Sequence, residues 1–170
     1  MMEVGIVLAV ITLLILINGL FVAAEFSLVM APRAVIDRLA EQGSASAKSL
    51  GKILSDPLLQ DRCIATAQLG ITAASLGLGM YGEHALAEWF GQGLQWAGVA
   101  GWVGSHVAAS VLAITILTYL HIVLGEMVPK SLALQKPETT ALWLIRPVQW
   151  TQFVTFPLVL MLSGLGNLLL

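Results

Sequence analysis

His121-Ile122-Val123-Leu124-Gly125-Glu126-Met127-Val128-Pro129-Lys130 closes an apolar run that begins near Val107. Glu126 falls where such a run is still inside a bilayer or at its edge. An ionisable group there is expensive unless a partner, a cavity or a bound ion compensates it. Pro129 is the second anomaly. In a helix it lacks the N–H that would bond the carbonyl of Gly125, four residues back, and its ring pushes on that same carbonyl. Freed carbonyls in a membrane helix are tolerated where neighbours or a water-filled cavity satisfy them. A redirected carbonyl beside a carboxylate puts two hard oxygens together, a fit for a cation. The same letters also read as a proline that ends the third apolar helix, with Glu126 at the lipid headgroups.

The chain outward from this stretch is that of an integral membrane protein. Of its 170 residues 58% are hydrophobic and 11% charged, with mean hydropathy +0.88, whereas a soluble domain carries about 25% charged residues. The net charge of −2 provides no basic footprint for nucleic acid. A single cysteine, Cys63, excludes an intramolecular disulfide and a cysteine metal cluster. The three histidines lack the paired spacing of a zinc site, and no nucleophile stands near a plausible base. Nothing here makes a positive case for an enzyme.

Three spans are expected, at about residues 4–30, 58–80 and 106–128. The first is too long for a signal peptide and follows Glu3 rather than Lys or Arg, so it reads as an uncleaved helix. It carries Asn18 and Glu25 on one face, and Ser27 in line with Ala23 and Gly19. In the second, Gln68, Thr72, Ser75 and Gly79 form one polar, small face. Such a face either glues helices together or lines a site. In the third, Thr118, His121 and Gly125 share a face, and a lone histidine there is more often a packing residue than a ligand.

Between spans one and two, residues 32–54 read as two short amphipathic helices at the membrane surface. Pro32 starts the first, Gly43 ends it, Ser44 caps the second, and Asp56-Pro57 breaks the chain again. Residues 81–105 hold Glu83, Glu88 and the tryptophans Trp89, Trp96 and Trp102, suited to an interface. A short hydrophobic or re-entrant helix fits there. The stretch 138–170 is long enough to cross but contains Pro147 and Pro157, so a fourth span competes with an in-plane amphipathic helix.

All eight Lys and Arg lie in two blocks, residues 33–62 and 130–146, flanking the spans on one side. The positive-inside rule then puts the N-terminus outside and both blocks in the cytoplasm.

Asn18-Gly19-Leu20-Phe21, Gln68-Leu69-Gly70-Ile71-Thr72 and above all Gly125-Glu126-Met127-Val128-Pro129-Lys130 resemble the transmembrane domain of the CorC/cyclin-M (CNNM) magnesium transporters, over essentially the whole chain. The animal relatives carry serines where this chain has Asn18 and Val22. The resemblance implies an all-α integral membrane domain, residues 1–170. It would have three transmembrane helices, two short cytoplasmic amphipathic helices and a C-terminal juxtamembrane belt helix. It also implies a homodimer in the cell's inner (plasma) membrane with the C-terminus in the cytoplasm. Regulatory CBS domains are expected beyond Leu170 in a longer protein. The expected activity is Mg²⁺ export or exchange driven by Na⁺.

Mg²⁺ takes about six oxygens in near-octahedral array. Glu126 offers charge, the Gly125 carbonyl a fixed dipole, and Ser75 and Ser27 neutral oxygens from the other spans. Asn18 and Glu25 are further candidates, Glu25 for a Na⁺ site or a structural hydrogen bond. The absence of soft ligands argues against copper or zinc. A second reading stays open, in which the chain is a non-transporting module that anchors and dimerises a cytoplasmic regulatory domain, with Glu126 structural.

Overall fold

The computed structural model describes residues 2–96 and 102–169, with side chains described over 4–94 and 106–157. Among the described residues it is helical throughout, with no strand. The elements are α1 (Met2–Met30), α2 (Arg33–Glu41), α3 (Ala45–Ser55), α4 (Pro57–Gly77), a π-helical turn (Leu78–Gly82), α5 (Glu83–Trp96), α6 (Trp102–Leu120), a second π-helical turn (His121–Met127), α7 (Val128–Gln135) and α8 (Pro137–Leu169). Among the described residues, three helices are long and apolar enough to cross a membrane: Val4–Met30, Pro57–Leu94 and His106–Gln135. This is a multi-pass membrane protein.

The breaks between helices follow from local chemistry. Pro32 is extended (φ −70°, ψ 113°) and α2 starts at the next residue. Gly43 takes φ +96°, a left-handed conformation that favours glycine. There the chain turns, with Ser44 N–H bonding the Leu39 carbonyl. The Ser44 hydroxyl then accepts from Ala47 N–H at 3.3 Å and starts α3. Asp56 and Pro57 act jointly. Proline disfavours helical backbone at Asp56, which sits at φ −118°, ψ 108° and ends α3. The Asp56 carboxylate accepts from Leu58 N–H at 2.9 Å and starts α4.

The fold divides into two compact units. The first comprises Met1–Gly19 and Thr72–Val128. Its core is Ile11, Ile15, Leu78, Leu86, Ala87, Ala113 and Leu117, with Trp89 and Phe90 packed against it. Gly82 lets Leu117 approach, since a methyl there would stand 2.9 Å from the leucine tip. Helix α5 is the short helix expected between spans two and three. The interfacial placement expected of Trp96 and Trp102 lies outside the residues whose side chains are described.

The second unit comprises Leu20–Ile71 and Pro129–Leu170. Ile36 of α2 and Ala47, Leu50 and Ile53 of α3 are buried in one cluster with Ala141, Leu144, Ile145 and Val148 of α8. Gln149 Nε2 donates to Ser49 Oγ at 2.8 Å across the α3–α8 contact. Helix α8 continues through both prolines. Its opposite face exposes Trp143, Trp150 and Phe153, each about four-fifths exposed (79%, 80% and 85%).

Two expected helix ends move. The second apolar helix runs on past Met80 through the π turn into α5. The third does not stop at Pro129 but continues to Gln135, so the reading of that proline as a terminator is corrected. The reason is the π turn before it. There the ladder shifts to i→i−5, with Val128 N–H bonding the Val123 carbonyl. A proline just past a register shift interrupts no regular i→i−4 ladder, and the wider turn relieves the clash between its ring and the preceding carbonyl.

Small residues on the first two spanning helices, Gly19, Ala23, Gly70, Ala74 and Gly77, have close neighbours within one chain. Gly19 is buried, as are Ala23 and Ala74. A methyl on Gly70 would fall on the ring of Phe21.

Candidate functional site

The site is built on the π turn. A π turn widens the helix by one residue and is frequent at functional sites. Here it holds Gly125, which is buried. A side chain at 125 would force its neighbours to move: a methyl would stand 2.9 Å from His121 Cδ2 and 3.2 Å from Asn18 Nδ2. The missing side chain lets the imidazole and the amide close over the backbone.

Asn18, 2% exposed, donates from Nδ2 to the Gly125 carbonyl at 2.9 Å. Ser75 Oγ donates to Asn18 Oδ1 at 3.1 Å. Ser75 Oγ also lies 3.4 Å from His121 Nε2. The serine has one hydrogen, and it is engaged with Asn18. A hydrogen bond between the two therefore requires the tautomer with the ring hydrogen on Nε2, which donates to Ser75. The result is a directed chain, His121 to Ser75 to Asn18 to the Gly125 carbonyl, drawing on all three spanning helices.

Four residues proposed from sequence lie in this first unit: Asn18, Ser75, Gly125 and Glu126. The first three are joined in the chain. Glu126 follows Gly125 in the π turn, and its side chain is exposed. Ser27 lies in the second unit, where it is buried and its hydroxyl donates to the Ala24 carbonyl of its own helix at 3.1 Å. Glu25 is also in the second unit, accepting from Gln68 Nε2 at 3.4 Å. There Lys130 stands over the Phe26 ring, 4.4 Å from its centroid. Among the described residues no group of three or more His, Cys, Asp or Glu side chains converges as a metal cluster would. Any cation here meets backbone, amide, hydroxyl and single-carboxylate oxygens, the donor set of a hard ion.

Sequence reading undervalued His121. It stands on one face with Gly125, as the spacing implied, but its ring reaches the serine of another span. It also took the Gly125 carbonyl as bare, whereas Asn18 caps it.

The model of the cyclin M transmembrane N-terminal domain matches residues 9–170. Among curated proteins, the UPF0053 protein YugS of Bacillus subtilis is 35% identical over 162 residues, covering 95% of this chain and 37% of its own length. YrkA of the same organism is 36% identical over 157 residues, covering 92% and 35%. YhdP is 32% identical over 162 residues, covering 95% and 36%. The chain thus spans about a third of the length of these relatives. With the Gly125 turn and its partners placed on three apolar helices, and the match running nearly end to end, the chain belongs to the CNNM transmembrane domain family.

Proposed function

We propose that this chain is the membrane domain of a Mg²⁺ transporter that exports the ion in exchange for Na⁺. In this reading the Gly125 carbonyl, Asn18 Oδ1, Ser75 Oγ and the Glu126 carboxylate bind the ion. The observation that supports it is the convergence of Asn18 and Ser75 on the Gly125 carbonyl in a π turn. A buried amide, a buried carbonyl and a half-buried hydroxyl on three apolar helices are costly to maintain for packing alone, and their oxygens suit an ion that binds hard ligands and sheds water reluctantly. Glu126 supplies the negative charge that neutral oxygens lack. Family membership supports the choice of Mg²⁺ and of Na⁺ as the coupling ion, and also assembly as a homodimer with CBS domains in the full-length protein.

Charge supports the orientation. All eight Lys and Arg fall in the second unit and none in the first. We place the two basic blocks, residues 33–62 and 130–146, on the cytoplasmic side of the inner membrane, with α8 along its surface and the N-terminus outside.

The test is thermal unfolding of the purified protein over a Mg²⁺ series. A ligand that binds only the folded state raises Tm with its concentration. The parent should show this rise and Glu126→Gln should not. A protein that only anchors a regulatory domain would show no rise in either.

A further inference from the structure

We propose that His121 is the positioning residue of this site and that cation capture reverses the hydrogen-bond chain it heads. The inference rests on the Mg²⁺ reading above and goes beyond it. The Gly125 carbonyl is already engaged by Asn18 Nδ2–H at 2.9 Å. A cation at that oxygen faces the positive end of the amide dipole. Rotating the Asn18 amide by half a turn exchanges NH₂ for oxygen at nearly constant shape, so a residue only 2% exposed can make it without repacking. The rotation changes a repelling group into a ligand.

Every hydrogen in the chain can be followed through this reversal. Asn18 Nδ2–H now donates to Ser75 Oγ, across the 3.1 Å that separated Oγ from Oδ1. The Ser75 hydrogen is displaced and needs another acceptor. His121 Nε2, at 3.4 Å, is that acceptor once its proton sits on Nδ1. The ring hydrogen moves from one nitrogen to the other, and the count of hydrogens in the chain is unchanged. Ser75 Oγ keeps a lone pair for the ion. An imidazole suits this post because each ring nitrogen is donor in one tautomer and acceptor in the other. Gly125 matters twice, because its bare Cα also makes room for the ring that ends the chain.

The experiment uses the full chain in lipid nanodiscs with ¹⁵N-labelled histidine rings, the His121 signals being identified by their loss in His121→Gln. Mg²⁺ is titrated by calorimetry and by NMR in parallel. The expected result is a change of the His121 ring from the Nε2–H to the Nδ1–H pattern, saturating with binding. His121→Leu should weaken Mg²⁺ binding about tenfold, because the displaced serine hydrogen then has no acceptor. His121→Gln, whose amide can also present either atom, should recover most of that loss. Mg²⁺ binding with an unchanged ring, or with parent affinity in His121→Leu, overturns the role of His121 and leaves the transport reading standing. No Mg²⁺ binding by the parent overturns both.

Discussion

Asn18 Nδ2 lies 2.9 Å from the carbonyl oxygen of Gly125, 107 residues further along the chain. The contact ties the first apolar helix to the third. Asn18→Leu keeps the volume and removes the amide, leaving the Gly125 carbonyl and the Ser75 hydroxyl without it. A loss of about 1–3 kcal/mol of stability is expected, read as a lower Tm without Mg²⁺. Asn18→Asp should behave differently. Its carboxylate faces the carbonyl dipole and is destabilising alone, yet Mg²⁺ should restore much of the Tm. Equal melting of Asn18→Asp with and without Mg²⁺ would remove residue 18 from the site.

Pro129→Ala supplies an N–H where none exists. A helix relaxing toward the regular i→i−4 ladder would turn that N–H onto the Gly125 carbonyl, in competition with Asn18 and with an ion. Helix content by circular dichroism should hold or rise while Mg²⁺ affinity falls. Ser75→Ala should cost less affinity than Glu126→Gln, since water can replace one neutral ligand. Parent-like binding by Pro129→Ala would show that this carbonyl is not a ligand.

Two glycines separate folding from binding. A methyl at Gly125 meets His121 and Asn18, and one at Gly70 meets the Phe21 ring. Overpacking of this kind costs about 1–3 kcal/mol, so both alanine variants should melt lower. Only Gly125→Ala should also bind Mg²⁺ more weakly once folded, because its methyl crowds two residues of the site whereas the one at Gly70 falls on the Phe21 ring. Calorimetry on the folded fraction of each tests the distinction.

The segment around α5 tests orientation. Gln92 is exposed, and the native Cys63 is buried, which keeps the background low. Gln92→Cys should react with an impermeant thiol reagent added to intact cells. Labelling only after lysis would invert the orientation proposed here.

The spans, the two short helices after the first span and their caps were legible because each has a local cause: apolar runs of spanning length, Ser44, Gly43, and the Asp56-Pro57 pair. The site was half legible. Pro129 pointed to the Gly125 carbonyl, and the face of Ser75 was marked by spacing. That Asn18 donates to this carbonyl was not readable, because it depends on which groups of three helices meet. The π turns were missed for a related reason. They arise where packing and a proline outweigh the regular ladder, and no residue type announces them. Reading Pro129 as a stop treated the proline as isolated from the turn before it.

The π turn at His121–Met127 makes the third helix sensitive to length as well as to composition. It accommodates one residue more than an α-helix would over the same rise. Deleting one residue there, Ile122 for instance, lets the segment relax to regular α geometry with the helix after it still in register. The faces of Lys130 and Ala133 would be kept, while the wide turn that presents Gly125 would be lost. The same deletion in regular α-helix, as in Val128–Gln135, has no extra residue to absorb it and rotates everything after it by about 100°. A one-residue gap inside the π turn should therefore spare the fold and remove the site, whereas one just after it should disturb packing.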